Sequence, residues 1–139
     1  MRLPIYYVDA FAEELFQRNP PAVVTVTENL EAATMQSIAF ENNLSETAFV
    51  TVASIPFLIR WFSPVVEVDL CGHATLASAR VLFHDYLPPD SSQVSFLAKR
   101  SELSAFKRDD LIYLDFPADK PETMQKKQDH RAGIRRKPH

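Results

Sequence analysis

Residues 74–87 carry Leu76, Ala77, Ala79, Val81, Leu82, Phe83 and Tyr86, which make a helix apolar around most of its circumference. Such a helix has no face to offer to water and belongs inside a fold. The segments on either side of it are β-rich. Ile5–Phe11, Ala22–Val26, Thr47–Val52 and Pro56–Phe62 precede it; Gln93–Leu97, Glu102–Phe106 and Leu111–Phe116 follow, the last after the turn signal Lys107-Arg108-Asp109-Asp110. One further helix, from Asn29 to Asn42 or Asn43, places Ala32, Met35, Ile38 and Ala39 at three- and four-residue spacing with Glu31 and Glu41 between them. In the fourth strand Phe57, Ile59 and Trp61 alternate with Leu58, Arg60 and Phe62, the pattern of an antiparallel hairpin or meander with its predecessor. Strands that run consecutively, with two helices that cannot cover both faces of a doubly wound sheet, predict an α+β fold: a curved antiparallel sheet wrapped around a central helix.

The chain has 139 residues, 46% of them hydrophobic, enough for one domain with its own core. It holds no uncharged apolar run of membrane-spanning length, and the start MRLPIYYVDA lacks the apolar stretch of a secretory signal. The cytoplasm, without membrane attachment, is the expected compartment. The single cysteine cannot form an internal disulfide or a CxxC metal knuckle, and two glycines leave no material for a Rossmann or Walker loop. Neither a cofactor nor a metal is expected. Charge divides the chain in two. Residues 1–118 carry eight basic against fifteen acidic residues, a net of −7, whereas residues 119–139 carry seven against three, a net of +4. The second stretch has almost no large apolar side chain, so the reading is a folded body over 1–118 and a basic tail over 119–139 without regular structure. With no aromatic residue in the tail to stack on bases and an acidic body to repel phosphates, nucleic acid is not an expected partner.

Two clusters could carry chemistry. In the first, Glu67, Asp69, Cys71, Gly72 and His73 lead directly into the buried helix. A glycine where a loop becomes a helix lets a ligand approach the backbone, and the free N–H groups of the first turn form an anion site suited to a carboxylate. An ordinary tight turn with His73 as a helix-start side chain is the plainer alternative. The second cluster is Asn42 to Thr47, where Glu46 sits between a helix and a strand, as a general base or simply as a solvated carboxylate. Asn43-Leu44-Ser45 matches a glycosylation acceptor, which carries no weight without a secretory signal.

Three stretches, RNPPAVV at 18–24, ENNLSETAFV at 41–50 and WFSPVVEVDLCGHATLASARVLF at 61–83, resemble the phenazine-biosynthesis PhzF-like isomerases, relatives of diaminopimelate epimerase. The resemblance runs from about Tyr7 to Pro117. It implies two similar halves, each a curved antiparallel sheet around a central helix, with the active site in the cleft between them; this chain corresponds to the N-terminal half. By that resemblance Glu46 is the acid/base that shuttles a proton at a carbon of a small acid. Gly72 and His73 hold the substrate's carboxylate, His73 assists the proton transfer, and Asn19 lines the cleft. Those roles suit the chemistry, since abstracting a carbon-bound proton needs a positioned carboxylate and preorganised donors for the developing anion.

There are departures from the family pattern. Arg18 stands where the family has glycine before Asn-Pro, and Ser101 stands in another glycine position. Members are about twice this length, and the basic tail resembles nothing in them. The expected partners are a small carboxylate substrate and a second copy of the chain. Beside the isomerase reading, with a half-site that turns over slowly or not at all, stand two others. One is a cysteine-based racemase using Cys71, which would need a second thiol. The other is an inactive half-domain remnant that acts only through self-association.

Overall fold

The computed structural model describes residues 3–8, 20–43, 46–109 and 111–115, and the backbone of 128–129 and 134–138. In chain order the elements are β1 (Pro4–Val8), β2 (Ala22–Val26), α1 (Ala32–Asn42), β3 (Thr47–Thr51), β4 (Phe57–Phe62), β5 (Glu67–Val68) and α2 (Gly72–Val81). A widened π-turn over Leu82–Tyr86 prolongs α2, and β6 (Gln93–Leu97), β7 (Glu102–Arg108), β8 (Leu111–Asp115), β9 (Gln128–Asp129) and β10 (Ile134–Pro138) follow. All ten strands belong to one sheet in the order β10-β1-β2-β3-β4-β6-β7-β8-β9, with β5 lying against β4.

The α+β fold with a sheet around a central helix is as the sequence predicts, with one addition. β2 and β3 pair in parallel, as do β4 and β6. Each parallel pair is joined through a helix, α1 and α2 respectively, because strands pointing the same way need a crossover between them. The remaining pairs are antiparallel, including the expected β3–β4 pair with Thr47 opposite Phe62 and Thr51 opposite Leu58.

The period-two alternation of the strands sorts the core into two faces. On the inner face Tyr6, Val8, Val23, Ala48, Val50, Ile59, Trp61, Phe96, Leu103 and Leu114 close over α2, every residue of which from Ala74 to Val81 is buried. α2 packs against β1, β2 and β3 on one side and against β8 on the other, so the sheet curls around it. On the outer face Ile5, Ala22, Val24, Val26, Phe49 and Phe62 pack under Met35 and Ala39 of α1. α1 has eleven residues and begins at Ala32, three residues later than its pattern suggests.

The α-helical hydrogen bonding of α2 stops at Val81, where the apolar pattern predicts a helix up to Leu87. The Leu87 N–H reaches the Leu82 carbonyl at 2.8 Å to close the π-turn. That turn presents the Tyr86 hydroxyl to Tyr6 (3.1 Å) and Thr25 (2.8 Å), so side chains on β1 and β2 hold the helix end.

The basic segment also departs from expectation. Ile134–Pro138 pairs antiparallel with β1, Pro4 opposite Pro138, and Gln128–Asp129 pairs with Ile112 and Leu111 of β8. A strand at a sheet edge is held by main-chain hydrogen bonds and needs no apolar side chains, which is why composition missed it. β9 and β10 thus occupy opposite ends of the sheet, with only residues 130–133 between them in the chain.

Candidate active site

Glu46 sits immediately before β3 and is half-buried; its carbonyl accepts the Ala22 N–H at 3.1 Å, which ties its backbone to β2. On the approach to it, α1 ends with Asn43 in the left-handed region (φ 36°) and the Asn43 N–H on the Ala39 carbonyl at 3.0 Å. Asn tolerates that conformation better than most residues. Asn42 then spans two elements. Its Oδ1 accepts the Tyr7 hydroxyl at 3.0 Å and its Nδ2 donates to Thr47 Oγ1 at 3.2 Å, so β1, α1 and β3 are locked together around the Glu46 turn.

His73 comes to the same region by another route. Thr47 pairs with Phe62 and Ala48 with Trp61, so the start of β3 lies beside the end of β4. From there the Trp61 indole N–H donates to Thr75 Oγ1 at 2.9 Å, and Thr75 Oγ1 donates to the Cys71 carbonyl at 2.8 Å. This fixes the first turn of α2 against β4. The consequence is electrostatic. The Glu46 charge acts on both His73 and Cys71, although 27 and 25 residues separate them in sequence.

Burial dominates at both partners. It lowers the His73 pKa below its ordinary value, with the Glu46 charge partly offsetting the shift, so the imidazole is held neutral. Cys71 is pushed up to about 11, chiefly by burial and further by Glu46, against the stabilising N–H groups of Ala74 and His73. A thiol with that pKa is protonated at neutral pH and is a poor nucleophile or base.

Glu67 is drawn away from the cluster in which the sequence groups it. Arg60 Nε and Nη2 donate to its two carboxylate oxygens at 2.8 Å each across β4–β5, and Lys99 lies 3.5 Å from one of them. Arg60, the largest cause, holds the carboxyl below its usual range. Gly72 is the first residue of α2, with Cys71 as N-cap and no side-chain cap bond there. Asn19 lies outside the described residues. Among the described residues there is no cluster suited to a metal ion and no helix long and apolar enough to cross a membrane. Sequence reasoning overlooked the bridging role of Asn42, although the Asn42-Asn43 pair at a helix end was a readable signal for a cap and a turn.

Comparison with known proteins brings these segments together in one lineage. The family model described as phenazine biosynthesis-like protein matches residues 8–137, which carries the likeness through the basic segment, well past Pro117. An uncharacterized isomerase of Pseudomonas aeruginosa is 50% identical over 122 residues, covering 88% of this chain and 47% of the relative. A phenazine biosynthesis-like domain-containing protein of Mus musculus is 47% identical, covering 84% of this chain and 43% of its own length. Among solved structures, the Enterococcus faecalis PhzF-family protein superposes with a TM-score of 0.76 at 49% identity, over 84% of this chain and 45% of that one. The chain spans a little under half the length of these relatives. It belongs to the PhzF family of phenazine biosynthesis-like proteins.

Proposed function

We propose that this chain forms one wall of an isomerase site that shifts a proton between carbons of a small carboxylic acid. Glu46 takes the carbon-bound proton as a carboxylate, and as the resulting acid returns it to another carbon of the same molecule. The electrons left behind delocalise toward the substrate's carboxylate, which sits at the start of α2 on the N–H groups of Gly72 and His73. A neutral His73 serves as a hydrogen-bonding group that neither repels nor competes for the Glu46 proton. The observation that carries this reading is the convergence of the start of β3, which follows Glu46, with the end of β4 and the first turn of α2, through the β3–β4 register and the Trp61–Thr75–Cys71 hydrogen bonds.

The reading places one acid/base, Glu46, on this wall of the site. An open site is wet, and solvent weakens each electrostatic contribution, so turnover by the chain alone is slow. Cys71 does not serve as the base, being held as a thiol in a chain without a second cysteine.

Deuterium uptake from D2O into a panel of small carboxylic acids with an activated C–H, followed by proton NMR, tests the proposal. Exchange should occur with the wild-type chain and fall about 100-fold or more in Glu46→Gln, the range expected for loss of a general acid/base. Exchange at an unchanged rate in Glu46→Gln would remove Glu46 from the mechanism. The same assay with the C-terminal half of the Pseudomonas aeruginosa relative added in trans should accelerate exchange. No exchange in either mixture would favour a folded half-domain without turnover.

A further inference from the structure

At the corner where β6, β7 and β8 meet, Ser92, Phe106, Lys107, Arg108 and Tyr113 line an open cavity of about 380 Å³. Phe106 and Tyr113 are direct cross-strand partners, so both aromatic side chains lie on one face of the sheet. Lys107 is fixed from two sides. Its N–H donates to the Ser92 carbonyl at 2.8 Å, and its ammonium lies 5.4 Å from the centre of the Phe83 ring. Arg108 ends β7, and the following turn carries Asp109 in the left-handed region at φ 55°. Lys107 thus points to the inner face, while Arg108 shares the face of Phe106 and Tyr113 and, among the described residues, forms no ion pair, which leaves one cation beside the two aromatic side chains. The nearest acidic residues in the sequence are Asp109 and Asp110, directly after Arg108, with Asp90 two residues before Ser92 and Asp115 two beyond Tyr113.

This corner is remote from Glu46 and His73. Phe83 lies ten residues along the helix from His73, about 15 Å of helical rise. β6 meets β4 at Phe57 and Leu58, the opposite end of β4 from Trp61 and Phe62, where Glu46 and the start of α2 converge. The cavity is therefore separate from the candidate active site.

We infer that this corner is a second ligand site, taking a small one-ring aromatic carboxylate. The ring stacks on Phe106 and Tyr113, the carboxylate meets Arg108 on the same face of β7, and the Ser92 and Tyr113 hydroxyls supply further hydrogen bonds. Each group answers one part of the ligand: a purely apolar ring wastes the Arg108 cation, and a bare anion wastes the aromatic pair. The volume lies at the low end of small-molecule sites, which suits a single ring with some hydration.

Benzoate is the probe. Titrated into 15N-labelled protein, it should shift the amides of Ser92, Gln93, Phe106, Arg108 and Tyr113 saturably, with benzyl alcohol and inorganic phosphate each binding about tenfold more weakly or worse at the same amides. Arg108→Gln changes an exposed side chain and should weaken benzoate about tenfold while leaving the rest of the spectrum in place. Tyr113→Leu keeps an apolar floor but loses stacking and hydroxyl, and should weaken it similarly. Glu46→Gln should leave benzoate binding at this corner unchanged. The inference fails if benzoate shifts only the Gly72 to Ala74 amides or none, if Arg108→Gln binds as tightly as wild type, or if phosphate and benzoate bind equally well.

Discussion

Cys71 holds its proton because burial outweighs the two backbone N–H groups that favour its thiolate. In the unfolded chain it titrates near 9.0 and in the folded chain near about 11. Between those values the unfolded state has released a proton that the folded state retains, so stability is intact below pH 9 and falls as pH rises through this window. The loss amounts to about 3 kcal/mol at its limit, and urea melts of wild type against Cys71→Ala should locate it as a pH dependence absent from the variant. At pH 8 iodoacetamide should alkylate Cys71 about 100-fold more slowly in the native than in the unfolded protein. His73 works in the opposite direction: its lowered pKa means the unfolded state binds the extra proton, so stability drops as pH falls below its ordinary value of 6.5. His73→Gln should flatten that acid limb. Asn42→Ala breaks the bonds to Tyr7 and Thr47 and should cost about 1–2 kcal/mol. The chemistry-bearing residues were legible by type and position, Glu46 in a helix-to-strand turn and Gly72-His73 at a helix start. Their supports were not, because Tyr7 is 35 residues from Asn42, and the diversion of Glu67 to Arg60 depends on a strand register that no local pattern encodes.

Elements were legible wherever one face or the whole surface had a single destination. The apolar circumference of α2 announced its burial, and the alternation of Phe57, Ile59 and Trp61 announced which face of β4 points inward. The end of α2 was hidden because it is decided by Tyr86 meeting hydroxyls from β1 and β2. Tyr86→Phe should therefore cost about 1–2 kcal/mol in a thermal or urea melt, through the two hydroxyl partners it abandons. Leu82, fully buried at the start of the π-turn, is a packing residue, and Leu82→Ala should cost about 2–5 kcal/mol. β10 was illegible for a different reason, since pairing at an edge through the main chain leaves no imprint on hydrophobic periodicity.

The molecule as a whole carries large apolar side chains in contact with water: Phe40 on α1 at 61% exposure, Ile55 at 81%, and the neighbours Val65 and Val66 at 76% and 54%. Gln36 of α1 donates to the carbonyls of Ser63 and Pro64, which brings the helix bearing Phe40 alongside the loop bearing the two valines. Apolar surface collected in this way is of the kind that partners cover, and self-association through it is the outcome we expect. Sedimentation velocity should show mass rising with concentration, and Phe40→Glu with Val65→Ser should return it to the monomer; a wild-type monomer at every concentration would overturn this.

The short tie between the last two strands sets a limit on the shape of the sheet. Asp129 pairs at one end and Ile134 belongs to the strand at the other, so five Cα-to-Cα steps, at most about 18 Å of extended chain, must join them. Laid flat, the eight strand spacings between β10 and β9 would hold those ends about 38 Å apart. A flat sheet cannot satisfy that covalent reach, so the band must bend through more than half a turn around α2, and any change that straightens it must first release β9 or β10.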